Sequence, residues 1–149
     1  MSRQYPDRPI VGVGAVIWRG DRVLLIRRGK PPRAGQWSLP GGAQNLGETL
    51  REAILREVRE ETGLDPVDLR LLTTVDLVER EPDGRVRYHY TLIDFTAEAP
   101  HGEPVAGDDA AGVAWFALSE LSALGLWSET IRIIEQAAAE RRLTGVPVR

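Results

Sequence analysis

The sequence predicts an α/β fold in which a mixed central sheet lies between helices. Apolar, strand-like runs bounded by turn residues recur along the 149-residue chain. One helical segment lies near the middle of the chain and a second lies near its end. Strands combined with two such helices indicate an α/β/α layered sandwich. The length suits one domain, so we expect residues 1–149 to form a single domain.

Turn residues separate the predicted elements. The "RGDR" and "EPDG" sequences each lie between two strand-like runs, which predicts two hairpins. A polar loop follows the first hairpin, and the short extended piece "WSLP" then stops at a Pro–Gly–Gly sequence. The predicted strands are residues 11–18, 23–28, 69–80, 85–97 and 113–118, and the predicted helices run from about Glu48 to Thr62 and from Ser128 to about Leu143.

Composition excludes several classes of function. The net charge is −3, from 19 basic and 22 acidic residues, so no general attraction to nucleic acid or to an anionic membrane is expected. The chain has no cysteine, which excludes disulfides, thiolate nucleophiles and cysteine metal sites. The start, "MSRQYPDRPI", lacks the apolar run of a secretory signal, and no later stretch is long enough to span a bilayer. We therefore expect a cytoplasmic location.

The central helix concentrates negative charge beside apolar residues. Glu57, Glu60 and Glu61 fall within one turn. At about 100° per residue, Glu57 and Glu61 lie beside and within the apolar stripe of the helix, and Glu60 lies next to them. That stripe consists of Leu50, Ile54 and Val58, with Ala53 at its edge. Carboxylates at a buried edge repel each other and lose hydration, so they must bind a proton or a cation.

Two interpretations of this helix are open. The ordinary one is a solvated helix with ion pairs between Arg56 and both Glu52 and Glu60. The other is a site for a hard divalent ion held by carboxylate and backbone oxygens, with Mg²⁺ as the natural candidate and Mn²⁺ as a substitute. The position of the glutamates favours the metal site. The glycines at 41 and 42 support it, because they let backbone carbonyls approach such an ion.

These residues resemble the signature of the Nudix hydrolases across 23 positions. The matching residues are Gly42, Glu48, Arg56, Glu57, Val58, Glu60, Glu61, Gly63 and Leu64, at the spacing of the family pattern. The resemblance implies the family's α/β/α sandwich and hydrolysis of phosphoanhydride bonds in nucleoside diphosphates linked to another group.

The resemblance also implies roles for individual residues. Glu57, Glu60 and Glu61 would hold the metal ions, and the backbone carbonyl of Gly41 would be a further ligand. Arg56 would pair with carboxylates and orient them, and Glu48 would support the cluster from the start of the helix. Asp109 matches a loop position, six residues before a tryptophan, at which family members bind metal or place the general base; Glu57 is the rival base.

Substrate contacts are expected from the strand before the Nudix signature. Arg27 and Arg28 end that strand, and only one of them can point to the site, because strand side chains alternate between faces. By resemblance to nucleotide-sanitising members, Arg28 is favoured for substrate phosphate. Trp37 either stacks on a base or packs in the fold, and packing is favoured.

The resemblance leaves the substrate open. An ADP-ribose-like nucleotide sugar is the favoured substrate. The alternative is a nucleoside triphosphate, in its ordinary or an oxidised form, that is cleaved to the monophosphate and pyrophosphate. The early arginine pair and the lack of a proline about fifteen residues beyond the signature favour triphosphates.

A third alternative comes from a different class of protein. It is a sensor or RNA-binding module that has lost catalysis, and it is disfavoured because every glutamate of the signature is present. The expected partner is a small nucleotide, and a homodimer is left open.

Overall fold

The computed structural model describes residues 3–30, 33–107 and 109–143. Its elements are β1 (Ile10–Arg19), β2 (Arg22–Arg28), β3 (Trp37–Ser38), β4 (Gly41–Ala43), α1 (Leu50–Thr62), β5 (Val67–Arg80), β6 (Val86–Glu98), β7 (Ala110–Ala117), a 3₁₀ helix (Leu118–Ala123) and α2 (Ser128–Leu143). In the described part of the chain, no helix is long and apolar enough to cross a membrane.

The strands form one mixed sheet of the predicted class. The main path runs β3-β2-β1-β6-β5, with β4 paired to β1 and β7 paired to β2. β1 and β6 are parallel over a register from Ile10 beside Tyr90 to Trp18 beside Glu98, and the other pairs are antiparallel. The prediction of an α/β sandwich with a mixed central sheet is confirmed.

Each face of the sheet carries a hydrophobic cluster and a helix. Side chains alternate between the faces of a strand, so β1 contributes to both clusters. The cluster on the α1 face includes Val13, Ala15, Ile17, Leu24, Ile54, Val58 and Phe95. The cluster on the α2 face includes Val16, Trp18, Val23, Leu25, Ile133, Ile134 and Ala137. The acidic helix is therefore fixed against the sheet by its buried apolar stripe.

The predicted hairpin at "RGDR" is present, because β1 and β2 pair next to the turn at Trp18–Val23 and Arg19–Arg22, and β2 also pairs with β7 along its whole length. One local prediction needs correction. The Gly41–Gly42 pair was predicted as part of a loop, but it lies in β4 and pairs with β1. Glycine carries no side-chain signal for a strand, so this strand depends on its partner.

Candidate active site

The acidic helix α1 has defined ends. The Thr49 side chain accepts a hydrogen bond from the Glu52 N–H, and the Glu52 carboxylate accepts one from the Thr49 N–H. This capping box satisfies two donors at the start of the helix. Gly63 ends the helix in the left-handed conformation, with φ of 74°. The solvated-helix interpretation required an ion pair between Glu52 and Arg56. In the structure, Glu52 instead caps the start of the helix.

Glu61 lies between α1 and the sheet. Its Oε1 accepts a hydrogen bond of 2.7 Å from the N–H of Gly41, which β4 holds against β1. The pKa of Glu61 is raised to about 8, mainly by burial; the Glu57 and Asp109 carboxylates also raise it, whereas Gly41 and Arg28 lower it. Glu57, Asp109 and Arg28 are therefore close enough to act on this carboxylate.

Arg56 links the other acidic side chains. Its guanidinium donates to both carboxylate oxygens of Glu48, at 2.6 and 3.0 Å, and to the carbonyl of Ala43 at 3.0 Å. The remaining nitrogen donates to Glu57 at 2.8 Å and to Glu60 at 3.2 Å. The hydrogen bond with Glu48 is the main cause that raises the pKa of Arg56 and lowers that of Glu48. Arg56 thus contacts three of the carboxylates that it was predicted to orient.

The two glycines of β4 allow close contacts, Gly42 with the helix α1 and Gly41 with the neighbouring strand β1. A Cβ added at Gly42 would lie 2.5 Å from Oε1 of Glu57, and one added at Gly41 would lie 2.0 Å from the carbonyl oxygen of Val13. Neither position has room for a side chain. The glycine pair thus brings the backbone of β4 against the carboxylates of α1.

The loop before β7 is attached to the end of α1. The N–H of Val105 donates to the carbonyl of Thr62, and the N–H of Gly107 donates to that of Glu61. These bonds satisfy carbonyls that the helix leaves without partners. A Cβ added at Gly107 would lie 1.7 Å from the carbonyl oxygen of Glu60, so a glycine is needed at this contact.

This attachment places Asp109 near Glu61. The carboxylate of Asp109 forms an ion pair of 2.6 Å with Lys30, and its carbonyl accepts a hydrogen bond from the N–H of Gly29. Lys30 holds the pKa of Asp109 below its usual value. The Asp109 side chain remains 69% exposed. Asp108, its acidic neighbour in the sequence, lies outside the described residues.

The two arginines at the end of β2 face opposite sides of the sheet. Arg28 acts on Glu61 and so lies on the α1 face. Arg27 lies on the other face, where its guanidinium is 5.8 Å from the ring centre of Trp37. Trp37 packs edge-on against Phe116, with ring centres 5.0 Å apart. The structure thus brings Arg28, and not Arg27 or Trp37, to the carboxylates of α1.

The chemistry of the donors suits a hard divalent ion. Carboxylates and backbone oxygens are the ligands that Mg²⁺ prefers, and a cation would offset the repulsion between Glu57 and Glu61. Within residues 3–30, 33–107 and 109–143, however, no three acidic or histidine side chains form a ready metal site. Arg56 holds Glu57 and Glu60 directly. Each of these bonds uses one carboxylate oxygen, so the second oxygen of Glu57 and of Glu60 remains available to a cation. The ligand assignments stay predictions.

The sequence did not indicate the roles of two residues in this region, Lys30 and Gly107. Lys30 pairs with Asp109 from a loop that carried no motif. Gly107 fixes the approach of the Asp109 loop to α1, but a single glycine in a loop is not distinctive. The one signal for its role in the sequence is its position two residues before Asp109.

Comparisons with known proteins agree with this fold and identify its family. A family model described as the NUDIX domain matches residues 8–137. An ADP-ribose pyrophosphatase of Methanocaldococcus jannaschii is 39% identical over 83% of this chain and 70% of its own length. A putative 8-oxo-dGTP diphosphatase 2 of Mycobacterium tuberculosis is 39% identical over 75% of each chain. The NUDIX domain of Shewanella oneidensis NrtR, solved with ADP ribose, has a TM-score of 0.77 and 26% identity, covering 93% of this chain and 90% of its own.

The family match and the relatives place this fold, with its carboxylate-rich helix on a mixed sheet, in the class of hydrolases that cleave pyrophosphate bonds. The chain belongs to the Nudix family. It is a Nudix pyrophosphohydrolase that acts on phosphoanhydride bonds of small nucleotide substrates. Nudix hydrolases generally use divalent metal ions.

Proposed function

We propose that this chain is a Mg²⁺-dependent pyrophosphohydrolase whose substrate is a nucleoside diphosphate sugar of the ADP-ribose type. The carrying observation is the partly buried carboxylate of Glu61, which has Glu57, Asp109 and Arg28 within electrostatic range. Such a group, near other carboxylates, must bind a proton or a cation at neutral pH, and the arginine provides charge for a phosphate.

Each residue of this group has a proposed task. Glu57, Glu60 and Glu61 hold the cation together with the backbone of Gly41. A bound divalent ion neutralises phosphate oxygens and lowers the pKa of the attacking water. Arg56, anchored by Glu48 and Ala43, holds its charge beside the carboxylates and orients them.

Arg28 and the general base complete the proposed site. Arg28 binds a phosphate oxygen of the substrate from the end of β2. Lys30 weakens Asp109 as a base by lowering its pKa, which favours Glu57 as the group that takes the proton from water.

Two comparisons support ADP-ribose as the substrate. The relative named ADP-ribose pyrophosphatase covers more of this chain than the putative 8-oxo-dGTP diphosphatase does, at equal identity. The NUDIX domain of NrtR was solved with ADP ribose and shares the fold over nearly the whole chain. Hydrolysis would convert ADP-ribose and water to AMP and ribose 5-phosphate.

A nucleoside triphosphate, including an oxidised one, is the second candidate. It is favoured by the 39% identity to the putative 8-oxo-dGTP diphosphatase 2. Its products would be the nucleoside monophosphate and pyrophosphate.

A substrate panel tests both candidates. ADP-ribose, dGTP, 8-oxo-dGTP and ATP are incubated with Mg²⁺, with Mn²⁺ and with a chelator, in water labelled with ¹⁸O. We expect kcat/KM to be highest for ADP-ribose, activity to vanish with the chelator, and the label to enter one phosphate product. Preferred cleavage of a triphosphate would replace the first candidate by the second, and full activity with the chelator would refute the metal-dependent proposal.

A further inference from the structure

A cavity on the sheet lies outside the group of carboxylates. It has a volume of about 230 Å³ and is lined by Arg33, Trp127 and the β5 segment 76–79. Pockets that enclose whole drug-sized ligands are usually larger than this. The cavity is therefore of a size for one part of a nucleotide.

The cavity combines an aromatic surface with a hydrogen-bond donor and an acceptor. The Trp127 side chain comes from the segment before α2 and is 40% exposed, which leaves indole surface available for stacking. Arg33 and Glu79 lie 3.6 Å apart at the cavity, and both side chains are about half exposed. An exposed ion pair of this kind contributes little stability, so a ligand can replace it at low cost.

The backbone at Arg33 is fixed in an unusual conformation. Its φ is 64°, in the left-handed region that side chains other than glycine rarely adopt. The carbonyl of Arg33 accepts a hydrogen bond from Gln36, and the carbonyl of Gln36 accepts one from Arg28. Arg33 is thus held in a turn whose base is the strand end that carries Arg28.

The same loop connects the cavity to the proposed hydrolytic site. Lys30 pairs with Asp109, and Arg33 follows three residues later. Three residues span at most about 11 Å. Arg28 is also hydrogen-bonded to Gln36 in the turn of Arg33, so one nucleotide can reach both places, with its phosphates near Arg28 and its base near Arg33.

We propose that this cavity binds the base of the nucleotide and that Glu79 selects a purine with an exocyclic amino group. The base stacks on Trp127, its amino group donates to Glu79, and a ring nitrogen accepts from Arg33. Adenine has this combination of an amino donor and a ring acceptor. The inference rests on the proposed function for the identity of the base and names the part of the protein that recognises it.

Two substrates that differ only in the base test the role of Glu79. ADP-ribose and inosine diphosphate ribose are compared, because hypoxanthine has a carbonyl where adenine has its amino group. Glu79→Gln should lower the ratio of kcat/KM for ADP-ribose over the inosine analogue about tenfold, the scale of a lost hydrogen bond to a charged group. Glu135→Gln, an exposed glutamate on α2, is the matched control and should keep the wild-type ratio. An unchanged ratio in Glu79→Gln overturns the proposal.

Trp127 is tested by its effect on KM. Trp127→Ala should raise KM for both substrates about tenfold with little change in kcat, within the range of base–aromatic stacking. Trp127→Phe keeps an aromatic ring and should restore most of the affinity. Equal KM values for the wild type and Trp127→Ala would contradict stacking. Thermal melting of each variant checks that it is folded.

A binding measurement separates this inference from the proposed function. AMP and IMP are titrated into the wild type and Glu79→Gln by calorimetry, without any cleavage. A preference for AMP that Glu79→Gln removes supports the inference even where ADP-ribose is not the hydrolysed substrate. Hydrolysis of ADP-ribose together with equal binding of AMP and IMP overturns the inference alone.

Discussion

At the scale of single residues, Glu61 is a partly buried carboxylate between α1 and β4. Burial is the main cause that raises its pKa to about 8, and the N–H of Gly41 donates a hydrogen bond to one of its two oxygens. We expect Glu61→Gln to lower kcat at least about a hundredfold, as for removal of a preorganised electrostatic stabiliser. Steady-state kinetics at saturating Mg²⁺ measure this. Glu135→Gln, exposed on α2, serves as the control, and near-normal turnover of the Glu61 variant would refute the assigned role.

Arg56 gives a second prediction at this scale. It binds Glu48 through two nitrogens and also reaches Ala43, a geometry that lysine cannot reproduce. We expect Arg56→Lys to lower the free energy of unfolding by about 1–2 kcal/mol, because partly buried acceptors lose partners. Arg59→Lys is the matched control, since the Arg59–Asp65 pair is exposed. Urea denaturation compares them, and equal losses in the two variants would contradict the argument.

The spacing of the glutamates was sufficient to predict their position on α1. Glu57 and Glu61 fall at the edge of the apolar stripe on a helical wheel, and both are largely shielded in the structure. The binding of Glu57 and Glu60 to Arg56 could not be predicted, because a wheel gives angular position but not the choice among several carboxylates within reach of one guanidinium. For the same reason, the metal ligands themselves stay predictions.

At the scale of elements, α1 and the second hairpin follow from local signals, whereas β4 and the Asp109 loop do not. Apolar periodicity and Gly63 predict the helix within two residues at its start, and the turn residues predict β5 and β6. β4 is a glycine-rich strand that exists because β1 pairs with it. The loop takes its position from hydrogen bonds to the end of α1, which are contacts between segments far apart in the chain.

That loop leads to the third prediction. Gly107→Ala places a Cβ 1.7 Å from a backbone oxygen of α1, so the loop must move away from the helix. We expect a loss of about 1–3 kcal/mol in the free energy of unfolding, as for overpacking, together with a lower kcat if Asp109 acts on the substrate. Gly112→Ala, whose nearest neighbours lie at 3.6 Å or more, is the matched control. Stability and kinetics of the Gly107 variant that match this control would refute the packing argument.

At the scale of the whole molecule, the parallel pairing of β1 with β6 organises the sheet. These strands are about seventy residues apart in the chain, and no turn or local pattern specifies their pairing. The sequence predicts only that strands and helices form layers. The pairing has one costly consequence, because it places Asp94 beside Gly14 on the α2 face, within an apolar environment. Asp94 is 5% exposed, and within the described structure its Oδ2 has no hydrogen-bond partner.

Asp94 therefore makes stability depend on pH. Burial raises its pKa from an ordinary 3.8 to about 6, although Arg132 lowers it slightly, so the folded protein retains a proton that the unfolded chain releases. This contribution to stability is present below about pH 4 and is lost as the pH rises through 6, for a total of about 3 kcal/mol.

The variant Asp94→Asn tests this dependence, because its side chain remains neutral at every pH. The free energy of unfolding of the variant minus that of the wild type should increase by about 1–2 kcal/mol between pH 5 and pH 8. Taking this difference cancels the contributions of other groups, including Glu61. Denaturation in urea across this range measures it, with Asp21→Asn in an exposed turn as the surface control. A difference that stays constant with pH would show that the Asp94 carboxyl is ionised in the folded protein at pH 5.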